Sequence, residues 1–165
     1  MKIAFVADTH RSEKAVREAL KHIDNYNAEI LIHLGDYVGD VKTFEKHFNG
    51  KIYAVAGNCD FTFDYPKENS ITINGVKIYY THGDLYNVKS SLNSIALKGE
   101  SEKANIVLFG HTHLAIREDY KNIIFMNPGS IPKPSSYSAF GAVGLITIED
   151  DGTISDIRLE PVHIK

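Results

Sequence analysis

The sequence predicts an α/β fold, built as a sandwich of two packed sheets. The first third of the 165-residue chain alternates short apolar runs with amphipathic stretches. That βαβαβ pattern is typical of parallel strands joined by crossover helices. The remaining two-thirds contains short strands and hairpin turns. A chain of this size can bury a sizeable core, and we expect one domain over residues 1–165.

Three buried strands and two helices are predicted in the first third of the chain. The strands are the apolar runs at residues 2–7, 29–34 and 51–56. Apolar residues recur at helical spacing over residues 13–24, and Ser12 is a favourable N-cap for that helix. A short second helix is predicted after Asp40, whose carboxylate is a suitable cap.

The rest of the chain predicts strands and one further helix. Asn74-Gly75 is a strong hairpin signal between strands at residues 70–74 and 76–81. A helix is predicted over residues 88–98, with Gly99 at its C′ position. The remaining predicted strands lie at residues 105–109, 115–119, 123–126, 142–149 and 153–160.

Composition excludes several classes of protein. The chain has 18 basic and 21 acidic residues, so its formal net charge is −3, which gives no general basic face for nucleic acid or anionic membranes. A single cysteine excludes an internal disulfide. The N-terminal apolar run ends at Asp8 and is too short for a signal peptide or a membrane span. We therefore expect a soluble cytoplasmic protein.

Polar tracts follow five of the predicted strands. They combine glycine with Asp, Asn and His, and they are Asp8-Thr9-His10, Gly35-Asp36, Gly57-Asn58-Cys59-Asp60, His82-Gly83-Asp84 and Gly110-His111-Thr112-His113. Because the carboxyl ends of strands in an α/β sheet meet at one edge, where ligands bind, we expect these tracts to lie together.

The tracts supply seven candidate metal ligands. They are Asp8, His10, Asp36, Asn58, His82, His111 and His113. Carboxylate, imidazole and amide ligands suit borderline divalent ions such as Mn, Fe, Co, Ni or Zn. Seven ligands are too many for one ion and suit two ions that share a carboxylate. Paired ions roughly 3.5–4 Å apart can clamp a phosphoryl group and activate a bridging hydroxide for in-line attack.

This ordered set of motifs resembles the calcineurin-like metallophosphoesterases, and in size the chain resembles their small single-domain bacterial and archaeal phosphodiesterases. The resemblance runs from residue 3 to about residue 130 and includes Asn127-Pro128-Gly129-Ser130. It implies a dinuclear-metal phosphoesterase, above all a phosphodiesterase, acting on a small phosphate ester. The implied first metal site is Asp8, His10, Asp36 and His113. The implied second site is Asp36, Asn58, His82 and His111, with Asp36 shared.

The resemblance also assigns further roles, with one departure. Asn58 would help to hold the phosphoryl oxygen. Many family members have His-Glu after Gly-Asn, and that histidine serves as a general acid or stabilises the transition state, whereas this chain has Cys59 and Asp60. We predict catalytic roles for Asn58, Cys59 and Asp60. General acid catalysis contributes about 10²–10⁴-fold, so losing the imidazole favours substrates with low-pKa leaving groups. Arg11, next to His10, is a candidate phosphate donor.

Several alternatives stay open at this stage. Asp8 could cap the first helix, Asn58 could be a turn residue, and Arg11 could be an ordinary surface arginine. A phosphomonoesterase or nucleotidase would use the same site. A non-catalytic scaffold that resembles a eukaryotic retromer subunit is the rival from another class, although a scaffold is free to lose ligands and this chain has all seven. The apolar last strand leaves a homo-oligomer open.

Overall fold

A computed structural model describes residues 1–164, and within them lie ten strands and three α-helices. The helices are α1 (Glu13–Tyr26), α2 (Val41–His47) and α3 (Asn93–Ser101). The strands are β1 (Lys2–Val6), β2 (Ile30–His33), β3 (Lys51–Ala54), β4 (Glu68–Ile73), β5 (Val76–Thr81), β6 (Ile106–Leu108), β7 (Ala115–Tyr120), β8 (Ile123–Pro128), β9 (Gly141–Ile148) and β10 (Ile154–Val162). No helix among these residues is both long enough and apolar enough to cross a membrane.

The predicted two-sheet α/β sandwich is confirmed. One five-stranded sheet has the order β10-β9-β1-β2-β3, and the other has the order β4-β5-β6-β8-β7. The crossover strands β1, β2 and β3 are parallel, as are β5, β6 and β8. The hairpin between β4 and β5 turns at Asn74 and Gly75, both with positive φ, as predicted.

The core lies in three layers, one between the sheets and one on each outer face. Ile3 and Phe5 of β1 pack between the sheets, whereas Ala4 and Val6 face α1. Both faces of β1 are therefore buried, which explains its continuous apolar run. Helices α1 and α2 cover the first sheet, and α3 covers the outer face of the second.

The helix predicted over residues 88–98 is wrong in its bounds. Helix α3 begins only at Asn93, because the chain first turns through a short 3-10 helix and a left-handed Asn87. It also continues past Gly99, which is an interior residue and not a C′ cap. A β-carbon at Gly99 would lie 2.9 Å from Val107 Cγ2, so glycine allows α3 to pack closely on the sheet.

The cap predicted for the second helix is also wrong. Asp40 precedes α2 but makes no capping hydrogen bond, and a 3-10 turn leads into the helix instead. Its carboxylate accepts hydrogen bonds from the Thr9 hydroxyl and the Arg11 backbone N–H. Ser12, by contrast, caps α1 as predicted, accepting from the backbone N–H of Ala15.

The contact between β1 and β9 generates a stability prediction. Gly144 lies opposite Phe5, and a β-carbon there would overlap the buried phenyl ring. We expect Gly144→Ala to lower the free energy of unfolding by about 1–3 kcal/mol, the usual cost of overpacking a core. Denaturant unfolding measures this. Gly39→Ala is the matched control, because a β-carbon at that position would have no atom within 4 Å of it. Equal stabilities for the two variants would contradict the packing described here.

Candidate metal centre

The polar tracts meet at the carboxyl ends of strands from both sheets. Asp8, Asp36 and Asn58 follow β1, β2 and β3 in the first sheet, whereas His82 and His111 follow β5 and β6 in the second. The site therefore lies where the two sheets come together. Five separate segments of chain build it, as the sequence predicted.

Three predicted ligands form the first cluster, Asp8, His10 and His113. The Nε2 atoms of His10 and His113 are 3.0 Å apart, and Asp8 Oδ1 lies 3.3 Å from His113 Nε2. The donor atoms of this cluster all lie within 4.8 Å of one another, which suits binding of one metal ion.

The second cluster consists of Asp36, His82 and His111, whose donor atoms also lie within 4.8 Å of one another. Asp36 Oδ1 is 3.4 Å from His82 Nε2. The same His82 nitrogen is 3.9 Å from Asp8 Oδ1, so the two clusters are neighbours. The sharing of Asp36 between two ions stays a prediction.

Backbone carbonyls fix which ring nitrogen of two histidines is available. His82 Nδ1 lies 2.8 Å from the carbonyl oxygen of Leu34, and His113 Nδ1 lies 2.8 Å from that of Lys133. A carbonyl oxygen only accepts, so each Nδ1 carries a proton and donates it. The Nε2 atoms therefore face the clusters, and in the neutral form of each ring this nitrogen carries the lone pair that metal ligation requires.

Two buried polar atoms between the clusters are suitable ligands for a cation. Asp8 and His82 are fully buried, and neither Asp8 Oδ1 nor His82 Nε2 has a hydrogen-bond partner within residues 1–164. A buried polar atom without a partner costs roughly 1–3 kcal/mol, and more when it is charged. A divalent ion would satisfy both atoms. The carboxylate and imidazole donors also match the ligand preference of borderline divalent metals.

The electrostatics affect the donors in opposite directions. Burial would lower the pKa of His82, but Asp36 and Asp8 raise it. Asp8 also raises the pKa of His113, so a metal ion would compete with protons at these two rings. Burial alone would raise the pKa of Asp36, but the nearby His82 and the hydrogen bond from the Cys59 N–H hold this pKa well below its usual range. Burial and the neighbouring His82 ring lower the pKa of His111. Asp36 is therefore ionised near neutral pH and His111 is a neutral imidazole, which are the forms that bind a metal.

The ligand loops adopt an unfavourable backbone conformation. Five of the predicted ligands have φ between 51° and 68°, in the left-handed region, namely Asp8, His10, Asp36, His111 and His113. Such conformations cost of order 1–3 kcal/mol each in residues other than glycine and persist only where the surroundings fix them. Side-chain hydrogen bonds from outside the clusters supply that restraint.

One restraint is a buried chain of hydrogen bonds that the sequence did not reveal. Gly35 N–H donates to His33 Nδ1, so the proton of this neutral ring is on Nε2 and is donated to the Thr9 hydroxyl. Thr9 donates in turn to Asp40 over 2.6 Å. Burial lowers the pKa of His33 to about 4, which keeps the ring neutral. His33 is thus packed behind the site, with both ring nitrogens in hydrogen bonds.

The Asn127–Ser130 segment is the second restraint. Asn127 Nδ2 donates to the Gly110 carbonyl and to the Thr112 hydroxyl, over 2.8 and 2.9 Å. Ser130 Oγ donates to the backbone carbonyl of Asp8 over 2.8 Å. The motif that the sequence singled out therefore holds the histidine loop of the second sheet against the Asp8 loop of the first.

The predicted catalytic residues lie at the edge of the clusters. The Cys59 backbone N–H donates to Asp36 Oδ1 over 2.9 Å, and exposed Asn58 donates to Cys59 Sγ. Burial and the carboxylate of Asp36 raise the pKa of the Cys59 thiol. Both oxygens of Asp60 accept backbone N–H groups, from Val38 and Gly57, so this carboxylate positions two loops. The catalytic roles stay predictions.

Comparison with known proteins agrees with this geometry. Residues 1–151 match the model of the calcineurin-like phosphoesterase superfamily domain. The chain is 31% identical over 152 residues to the probable metallophosphoesterase YsnB of Bacillus subtilis, covering 92% of this chain and 86% of YsnB. It is 32% identical over 145 residues to phosphodiesterase MJ0936 of Methanocaldococcus jannaschii, covering 78% of this chain and 83% of the relative.

A solved structure shares the fold at lower identity. Wild-type Vps29 from Entamoeba histolytica, crystallised with zinc, superposes with a TM-score of 0.77 at 18% identity, covering 98% of this chain and 99% of Vps29. That likeness concerns the fold alone. The family match spans nearly the whole chain and includes every predicted metal ligand. The chain belongs to the calcineurin-like phosphoesterase superfamily.

Proposed function

We propose that this protein is a phosphodiesterase that depends on two divalent metal ions, with Mn, Fe, Co, Ni and Zn as the candidates. The observation that carries the proposal is the pair of adjacent clusters, with Asp8 Oδ1 and His82 Nε2 buried and without hydrogen-bond partners in residues 1–164. Two cation sites side by side are the arrangement that phosphoryl transfer uses.

We assign separate metal-binding and substrate-binding roles to the residues of the site. Asp8, His10 and His113 would hold one ion, and Asp36, His82 and His111 the other, with Asn58 as a further ligand. When bound, such ions stabilise the developing phosphoryl charge and lower the pKa of the attacking water. Asn58 is exposed beside Asp36, and we assign its amide to the phosphoryl oxygen. The restrained loops keep these groups oriented before substrate arrives.

Preference for diesters over monoesters is the finer part of the proposal. It is supported by the similarity to MJ0936, which is named a phosphodiesterase. A phosphomonoesterase would use the same clusters. A protein-interaction scaffold is the second candidate, because Vps29 shares this fold. The complete set of ligands favours the enzyme. The cytoplasmic location, the single domain and the homo-oligomer stay predictions.

The first test is metal-dependent hydrolysis of bis(p-nitrophenyl) phosphate and of p-nitrophenyl phosphate. We expect hydrolysis to disappear on chelation and to return with Mn, Ni, Co, Fe or Zn, with the diester preferred. Asp36→Asn removes a charge from the clusters, and we expect kcat/KM to fall by at least roughly 100-fold, since changes outside the ligand set alone cost about 10–100-fold.

Asp150→Asn is the matched control, because Asp150 is exposed and distant in sequence from every ligand. Near-normal activity of Asp36→Asn would contradict the role of Asp36 as a metal ligand, and with it the predicted sharing of this carboxylate between two ions. Two bound ions without hydrolysis of either ester would indicate an enzyme of narrow specificity. A chain that binds no metal and hydrolyses neither ester would be the scaffold.

The division into two clusters predicts an unequal loss of metal. His111→Ala removes a ligand from the second cluster only, so we expect metal content to fall from near two ions per chain towards one. Elemental analysis after gel filtration measures this, with exposed His163→Ala as control. Loss of both ions together would contradict two separable sites.

Replacement of the usual histidine by Cys59 predicts a dependence on leaving-group pKa. The pKa of the thiol is raised, so it is a weak proton donor to a departing alkoxide. We expect kcat/KM to fall steeply across aryl and alkyl diesters as leaving-group pKa rises. Cys59→His should flatten that slope by accelerating the poorest substrates. A flat slope in the wild type, with chemistry rate-limiting, would contradict this role.

A further inference from the structure

A pocket opens beside the metal clusters and is not used by the proposed ligands. Its volume is about 290 Å³, and its walls come from the segments at residues 37–40 and 59–62 together with Arg11. A larger cavity of about 520 Å³ lies between α3 and β7–β8, but no predicted ligand lines it. The smaller pocket is therefore the one that a substrate bound at the clusters would reach.

Arg11 is the cationic side chain of this pocket. Its guanidinium carbon lies 4.9 Å from the centre of the Tyr37 ring, and that ring is 5.0 Å from the ring of His10. One phenol ring thus separates the guanidinium from a predicted metal ligand. Stacking uses the face of the guanidinium and leaves the N–H donors at its edge free. Within residues 1–164 the Arg11 side chain has no carboxylate partner within ion-pair distance.

The backbone conformation that places Arg11 at the pocket is energetically unfavourable. Arg11 and Tyr37 have φ of 57° and 69°, in the left-handed region that favours glycine. The Arg11 N–H is fixed by Asp40 over 3.0 Å, the same carboxylate that ends the hydrogen-bond chain behind the site. Strain of this kind is concentrated at functional sites, where the surroundings fix a side chain in position.

The other walls carry two carboxylates and one apolar aromatic side chain. Asp40 and Asp60 line the pocket, but their carboxylates accept hydrogen bonds from the protein, including the N–H groups of Arg11, Val38 and Gly57. The backbone N–H of Arg11 is used in this way, whereas the N–H groups of its guanidinium stay available to a ligand. Phe61 lines the same pocket with a side chain that is 100% exposed, and it offers an apolar face to the organic part of the ligand.

We propose that Arg11 binds a second phosphate group, carried by the alcohol portion of the ester whose scissile phosphate is at the metal clusters. The substrate class is then a phosphate ester with a further phosphate on the same organic group, as in a nucleoside bisphosphate ester. This inference rests on the proposed function and adds to it the feature that separates good substrates from poor ones.

A matched pair of esters tests the proposal. Thymidine 5′-(p-nitrophenyl phosphate) and its 3′-phosphorylated analogue release the same nitrophenol when water cleaves the aryl ester, and they differ only in the second phosphate. With manganese-loaded protein we expect the 3′-phosphate to raise kcat/KM roughly 10- to 100-fold, the contribution of charged hydrogen bonds. Arg11→Gln should bring this ratio close to one, and Arg11→Lys should keep part of it.

Binding provides a readout that does not need turnover. By calorimetry on the manganese-loaded protein, thymidine 3′,5′-bisphosphate should bind at least about 10-fold more tightly than thymidine 5′-monophosphate, and Arg11→Gln should abolish the difference. Arg17→Gln is the control, since Arg17 is exposed on α1 and pairs with Glu13. Thermal unfolding checks that the variants are folded.

The outcomes separate the two proposals. A ratio near one in the wild type, or a large ratio that survives Arg11→Gln, overturns the role of Arg11 while hydrolysis itself still supports the phosphodiesterase. Absence of hydrolysis with an Arg11-dependent difference in binding overturns the proposed function and supports the anion site. Absence of both hydrolysis and any binding difference overturns both.

Discussion

The fully buried carboxylate of Asp8 joins the two halves of the molecule at the site. Its Oδ2 accepts the backbone N–H of His111 from the second sheet over 3.0 Å, while its own N–H donates to Gly35 in the first sheet, also over 3.0 Å. Its carbonyl accepts the Ser130 hydroxyl. Only Oδ1 is left, facing His113 and His82. The position of both metal clusters depends on this one residue.

Rigidity at the site follows from how its loops are held. Left-handed residues would relax in isolated loops, because the conformation is unfavourable for side chains other than glycine. Here the chain from His33 through Thr9 to Asp40 restrains the loop that carries Asp8, His10 and Arg11. Asn127 restrains the loop that carries His111. These hydrogen bonds hold the loops that carry the predicted ligands and the arginine beside them.

Much of this arrangement could be predicted from the sequence, because strand ends followed by Asp, Asn and His converge in an α/β sheet. The two-sheet fold followed from local patterns, and so did the six predicted ligands that the structure brings into two clusters. The bounds of α3 did not, since the close packing of Gly99 on Val107 is a tertiary contact. The role of Asp40 was also hidden, because its partner Thr9 lies 31 positions away. The ring orientations of His82 and His113 depend on backbone carbonyls that are 48 and 20 positions away in sequence.

The central claim is that two metal ions bind side by side in these two clusters. Anomalous diffraction from crystals grown with manganese tests it most directly, because it locates the ions without reference to activity. We expect two anomalous peaks roughly 3.5–4 Å apart. One should lie among Asp8, His10 and His113, and the other among Asp36, His82 and His111. A single peak between the clusters, or no peak there at saturating manganese, would contradict the account.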